Sequence, residues 1–99
     1  MDEALEAVIR GRVQGVGFRY FAHREAMSLG LGGWVANEAD GTVRCFAVGD
    51  RPSLDAFIER LQAGPPSAIV DRVDLVWRPV GTAEHYPTFS IRSGAHRGD

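Results

Sequence analysis

Apolar and polar residues alternate along several segments of this chain, which is the pattern of strands with one buried face. Segment 5–13 alternates in this way, and segments 33–37 and 42–48 flank an Asp-Gly turn within 38–41, the signal for a β-hairpin. Two more strands are indicated by alternating apolar residues near the C-terminus: Val73, Leu75 and Trp77 in one, Phe89 and Ile91 in the other. The pattern therefore predicts five strands.

Two further segments space their apolar residues for helices that pack on one side. The first helix is predicted to follow Gly17 and to end at Gly30. The second is predicted to begin at Asp50 or Ser53, either of which can cap it, and to end at Gly64. The apolar stripes are Phe18, Phe21, Ala22, Ala26 and Leu29 in the first helix, and Leu54, Phe57, Ile58 and Leu61 in the second.

The order of these elements is strand, helix, strand, strand, helix, strand, followed by a short last strand. This order is typical of the α+β, ferredoxin-like split βαβ sandwich (βαββαβ), an antiparallel sheet with two helices on one face. We expect strands 5–13 and 33–37 to lie side by side, so that the loop after the first and the end of the second face one pocket. One domain is expected over residues 1–92, with a short polar C-terminal tail over 93–99.

Composition excludes several classes of protein. No apolar run approaches the roughly 20 residues that span a bilayer, and Met1 is followed by acidic residues rather than a basic signal-peptide region. Cys45 is the only cysteine, which excludes an internal disulfide, and the three histidines lack metal-ligand spacing. A net charge of −2 argues against a nucleic-acid binder. We therefore expect a cytoplasmic monomer without a nucleic-acid or membrane partner.

The stretch GRVQGVGFRYFAH, residues 11–23, is the clearest candidate for chemistry. From residue 7 to 24 the chain has four arginines and no carboxylate. A Walker loop is excluded because the chain has no lysine, and a dinucleotide loop is excluded because Tyr20 occupies the third glycine position. A glycine turn before a helix, with Arg19 in the first helical turn, can still cradle an anion. The alternative is an ordinary tight turn with a solvated arginine.

Asn37 is the second candidate, because it ends a predicted strand just before the Asp-Gly turn. An asparagine in that position is usually a turn former whose side chain binds nearby backbone. Beside an anion cradle, its amide could instead hold and orient a water molecule. The sequence pattern alone leaves both interpretations open.

GRVQGVGFR (11–19) together with GWVANEADGTV (33–43) closely resembles the acylphosphatases, enzymes that hydrolyse the mixed anhydride of a carboxylic acid and phosphate. The resemblance extends over about residues 5–91. It implies a ferredoxin-like fold, a small-molecule acyl phosphate as substrate, and no metal or organic cofactor. By match to the family motifs, Arg19 and Asn37 would be catalytic, with Arg19 holding the phosphoryl group and Asn37 positioning water. The loop that would bind phosphate through its backbone is Gln14, Gly15, Val16, Gly17 and Phe18.

Ala36 departs from this resemblance, since many family members have a basic or larger residue before the asparagine. Three rival functions compete with this interpretation, and the presence of Asn37 in the matching motif favours the enzyme over a binding module. One is a binding module that recognises a small anion without turnover, and a second is a carbamoyl-phosphate-handling domain of a larger maturation protein. The third, an RNA-binding module, requires aromatic residues on a central strand, and segment 42–48 offers only one.

Overall fold

The computed structural model describes residues 2–80 and 86–93, and within them it contains every predicted helix and strand. Strand β1 and strand β4 are longer than the alternation indicates, and each begins before its predicted start. The predicted C-terminal tail lies outside the described residues apart from Ser93. The elements are β1 (Glu3–Arg12), α1 (Phe18–Ser28), β2 (Gly32–Asn37), β3 (Val43–Gly49), α2 (Arg51–Ala63), β4 (Ile69–Arg78) and β5 (Phe89–Arg92).

The strands form one sheet in the order β4-β1-β3-β2-β5. The expectation that β1 and β2 lie side by side is wrong, because β3 pairs with both of them and separates them. The crossover through α1 makes β1 and β2 run in the same direction, and the β2–β3 hairpin inserts β3 antiparallel between them. β5 pairs parallel with β2, so the sheet is mixed at that edge. The ferredoxin-like class is confirmed.

Both helices pack on one face of this sheet and bury the predicted stripes. Phe18 of α1 and Phe57 of α2 are among the largest fully buried side chains, together with Phe89 of β5. Phe57 and Phe89 meet edge to face with 5.9 Å between ring centroids, an arrangement that aromatic pairs favour. Cys45 is buried in the same cluster, as its alternation with Val43 indicates. The core therefore holds the start of α1 rigidly against the sheet.

The structure also distinguishes between the two predicted caps of α2. Asp50 is the cap, since its carboxylate accepts a hydrogen bond of 2.9 Å from the backbone N–H of Ser53. Neither helix is long and apolar enough to cross a membrane, as judged over residues 2–80 and 86–93.

Candidate active site

A small cavity lies where β1 leads into α1, close to the end of β2. Its volume is about 90 Å³. The described residues that line it are Val13, Gly15, Gly17, Phe18, Arg19, Tyr20 and Asn37. The structure thus brings the glycine loop, Arg19 and Asn37 together, even though β3 separates the two strands that carry them.

The glycine loop has the left-handed backbone that glycine adopts without strain. Gly15 has φ +73° and Gly17 has φ +79°, and a Cβ added at either position would meet no atom within 4 Å. Backbone conformation, rather than lack of space, therefore accounts for these glycines. Gly17 is also the N-cap of α1 and supplies no side-chain cap. The N–H groups of the first helical turn, with their partial positive charge, therefore lack a side-chain cap.

Two side chains, Gln14 and Ser67, fix this loop through three hydrogen bonds. The amide nitrogen Nε2 of Gln14 donates to the carbonyl oxygens of Glu38 at 2.7 Å and Thr42 at 2.9 Å. On the other side, Oγ of Ser67 donates to the carbonyl oxygen of Val16 at 2.8 Å. Gln14 and Val16 are not among the lining residues. These two members of the predicted phosphate loop therefore anchor it, while Gly15, Gly17 and Phe18 face the cavity.

Arg19 is held in place by a hydrogen bond to strand β5. One of its guanidinium nitrogens, Nη1, donates to the backbone carbonyl of Arg92 in β5 at 3.0 Å. A guanidinium has five N–H donors, so this contact uses only a small part of its capacity. Most arginines of the described chain are paired with carboxylates, whereas Arg19 forms no ion pair there. No carboxylate of residues 2–80 and 86–93 therefore compensates its positive charge beside the cavity.

Asn37 is the last residue of β2 and is only 7% exposed. It stands opposite Val43 in the register of the hairpin, on the face of the sheet that the helices cover. The turn that follows is stabilised by Asp40, whose carboxylate accepts hydrogen bonds from the hydroxyl and the N–H of Thr42 at 2.6 and 3.0 Å. These bonds hold the pKa of Asp40 below its ordinary range. Asp40 is thus an ionised turn residue that does not line the cavity.

The other nucleophilic or titratable side chains near the site are placed for packing. Burial raises the pKa of the Cys45 thiol, which disfavours the thiolate that nucleophilic chemistry requires. His23 lies beside the ring of Phe89, with 6.3 Å between centroids, and does not line the cavity. Over residues 2–80 and 86–93, no three side chains of the His, Cys, Asp and Glu types are grouped as a metal site.

Sequence reasoning missed Tyr20 and Ser67. Tyr20 lines the cavity, and the only signal for it was its position directly after Arg19. Ser67 had no signal, because its contact with Val16 joins residues 51 positions apart.

Comparison with known proteins agrees with this geometry. A family model described as Acylphosphatase matches residues 5–91. An acylphosphatase from Nocardioides sp. is 44% identical over 92 residues, which are 93% of this chain and 90% of the relative. The chain belongs to the acylphosphatase family. Hydrolysis of acyl phosphates is the activity of this family, and the predicted resemblance to the family is confirmed.

Solved acylphosphatase structures have the same fold. The acylphosphatase of Bacillus subtilis superposes with a TM-score of 0.85 at 36% identity, covering 93% of this chain and 99% of that one. Full-length HypF, solved in a phosphate- and nucleotide-bound form, also superposes, with a TM-score of 0.84 and 31% identity. That match covers 95% of this chain but only 12% of HypF. The acylphosphatase-like unit therefore also occurs as a small part of a much larger protein.

Proposed function

We propose that the cavity hydrolyses the carboxyl-phosphate bond of acyl phosphates, giving a carboxylate and inorganic phosphate. The observation that carries this proposal is the shared cavity of Arg19, the uncapped start of α1 and Asn37. A cationic fork and a helix start both favour an anion with several oxygens. The roughly 90 Å³ of space suits a phosphoryl group better than a larger ligand.

Arg19 and the backbone N–H groups around Gly15 and Gly17 bind the phosphoryl oxygens in this mechanism. Transfer of a phosphoryl group depends mainly on positioning and on stabilising the charge of its equatorial oxygens. The Arg92 carbonyl and the Gln14 anchor fix these donors before substrate arrives. Such preorganised donors stabilise the transition state without having to reorient during the reaction.

Asn37 positions the attacking water in line with the bond that breaks. The water oxygen forms a new bond to phosphorus, while the bond from phosphorus to the acyl oxygen breaks and the carboxylate leaves. No carboxylate or imidazole is among the described lining residues, so the proton of the water passes to a phosphoryl oxygen of the substrate itself. A carboxylate is a weakly basic leaving group, and the reaction therefore needs no strong base.

The test is hydrolysis of benzoyl phosphate by the purified protein in the presence of EDTA. Turnover is expected to survive the chelator and to fall by roughly 10²–10³ in Asn37→Ala, the typical cost of losing one well-placed donor. Gln62→Ala, which removes an exposed amide from α2, is the matched control and should keep wild-type turnover.

Circular dichroism establishes that each variant is folded. A folded wild-type protein that binds inorganic phosphate but hydrolyses nothing would favour the anion-binding module instead. Turnover that EDTA abolishes would contradict the metal-free mechanism.

We also propose that the protein acts as a monomer in the cytoplasm. The monomer is supported by the cavity, since one chain supplies all of the lining residues described above. The cytoplasmic location is supported by Cys45, which is a buried free thiol, because thiols stay reduced in the cytosol.

A further inference from the structure

The cavity is small compared with the pockets that enclose whole organic ligands. Its volume is about 90 Å³. A phosphoryl group with its attacking water fills such a space, whereas pockets that enclose larger organic ligands measure roughly 300–1,000 Å³. If the phosphoryl group occupies the cavity, the acyl group must lie outside, against residues at the cavity rim.

Among the described lining residues, one apolar side chain is available at this rim. The buried lining residues are Val13, Phe18 and Asn37. Gly15 and Gly17 are exposed but present only backbone. Tyr20, in contrast, is 67% exposed, more than any other large hydrophobic residue that the structure describes as exposed.

The position of Tyr20 in α1 directs its ring toward the loop. Tyr20 is the third residue of the helix, which begins at Phe18. The Cα–Cβ bonds of a helix tilt toward its N-terminus, so a side chain in the first turn leans back over the residues that precede the helix. Those residues are the glycine loop. Tyr20 and Arg19, whose guanidinium would hold the phosphoryl group, line the same cavity.

We propose that Tyr20 binds the acyl group of the substrate and selects acyl phosphates whose acyl group is aromatic. The inference rests on the proposed function, because it assumes that the phosphoryl group occupies the cavity. A flat acyl group can stack on the exposed ring of Tyr20 while its carbonyl stays near the cavity mouth. Aromatic pairs contribute enough beyond their buried area to change affinity by about 3- to 10-fold. A small aliphatic acyl group lacks the surface for this contact.

The experiment compares kcat/KM for benzoyl phosphate and acetyl phosphate in the wild type, Tyr20→Ala and Tyr20→Phe. Tyr20→Ala is expected to lower the benzoyl-to-acetyl ratio of kcat/KM by about 3- to 10-fold. Tyr20→Phe keeps the ring and should keep the wild-type ratio. Met27→Ala removes another exposed apolar side chain from the same helix, outside the cavity, and is the matched control.

The outcomes separate this inference from the proposed function. An unchanged ratio in Tyr20→Ala, with both substrates still hydrolysed, would overturn the role of Tyr20 and leave the hydrolase intact. Folded wild-type protein that hydrolyses neither substrate would overturn the proposed function itself. Inhibition by inorganic phosphate, which has no acyl group, provides a further test. In Tyr20→Ala, the inhibition constant for phosphate is expected to stay at the wild-type value. If it rose by the same factor by which kcat/KM for benzoyl phosphate fell, Tyr20 would act on the phosphate site, contrary to the proposal.

Discussion

The two helices of this protein begin in opposite ways, although both pack on the same face of the sheet. α2 begins at an extended Asp50, whose carboxylate accepts a hydrogen bond from the N–H of Ser53. α1 begins at Gly17 in the left-handed region, with no side-chain cap and with Arg19 one residue inside the helix. Both helix starts carry an arginine, but α2 has the Asp50 cap and its Arg51 is paired with Glu3 and Asp55. Arg19 forms no ion pair with the described residues.

In the proposed mechanism, this difference separates a structural helix start from one that binds the substrate. The first N–H groups of any helix lack partners within the helix, and their partial positive charge attracts an anion. At α2 the protein supplies that anion itself through Asp50. At α1 it supplies glycines and an arginine, and in the proposed mechanism the substrate provides the anion. Exchanging the features of the two helix starts is thus a direct way to test the proposed site.

The largest effect is expected from Arg19→Lys, which keeps the charge but loses the planar fork. The ammonium of lysine cannot bind two phosphoryl oxygens with the planar geometry of a guanidinium. The substitution also removes the Nη1 atom that donates to the Arg92 carbonyl oxygen. We expect kcat/KM for benzoyl phosphate to fall at least about 100-fold. Arg12→Lys, an exposed arginine at the end of β1, is the control. Turnover within threefold of wild type in a folded Arg19→Lys protein would refute the two-pronged contact.

A second variant, Gly17→Asp, gives α1 the carboxylate that α2 already has. Asp tolerates the left-handed region better than most residues, and a Cβ has space at this position. Its negative charge at the edge of the cavity opposes a phosphoryl group, and like-charge juxtaposition costs several kcal/mol. We expect kcat/KM to fall roughly 100-fold.

Gly17→Asn is the matched control for this variant, because it has the same size and backbone tolerance without the charge. Its loss of kcat/KM should be clearly smaller than that of Gly17→Asp. Equal losses in the two variants would mean that backbone strain, rather than charge, explains the effect. Inhibition by inorganic phosphate should weaken in Gly17→Asp in parallel with turnover.

The smallest effect is expected at the other helix, where Asp50→Ala removes the cap of α2. The melting temperature should fall by roughly 4–8 °C at pH 7, the usual consequence of losing one cap in a domain of this size. Turnover at 25 °C should stay within twofold of wild type, because Asp50 lies outside the cavity. A larger loss of turnover would contradict the separation of the two helix starts.

Asp50 also predicts a pH dependence. Hydrogen bonds from the side chain and backbone of Ser53 lower the pKa of Asp50 in the folded protein. The ionised carboxylate therefore stabilises the fold above its unfolded pKa of about 3.9, and this contribution is lost as the pH falls through the lower folded value. Thermal melts from pH 7 to pH 3 should show the difference between wild type and Asp50→Ala shrinking below about pH 4.

The helices and strands could be predicted from the sequence because their signals are local. The stripe that ends at Leu61, the Asp-Gly turn and the glycine before Phe18 each report burial or backbone conformation within a few residues. Strand pairing is not local, and the alternation along β1 and β2 is compatible with neighbours or with an intervening strand. The position of β3 and the parallel pairing of β5 therefore became clear only in the structure.

The residues of the candidate site also divide into those with a local sequence signal and those placed by non-local contacts. Arg19 and Asn37 could be selected from motifs that lie within one loop and one turn. The anchor from Gln14 joins residues 24 and 28 positions apart, and the anchor from Ser67 spans 51 positions. Nothing local to Gln14 distinguishes a side chain that faces phosphate from one that ties the loop to a hairpin. The rim position of Tyr20 depends likewise on which neighbouring side chains are buried.

The hydrogen bond from Arg19 to the Arg92 carbonyl has a consequence for synthesis of the protein. The two residues are 73 positions apart, so the arginine leaves the ribosome early and its anchor leaves much later. A nascent chain without β5 can form α1, but it cannot hold the guanidinium as the finished protein does. Closing so long a loop is a late, non-local event. The fully anchored arginine therefore belongs only to chains whose translation has passed residue 92.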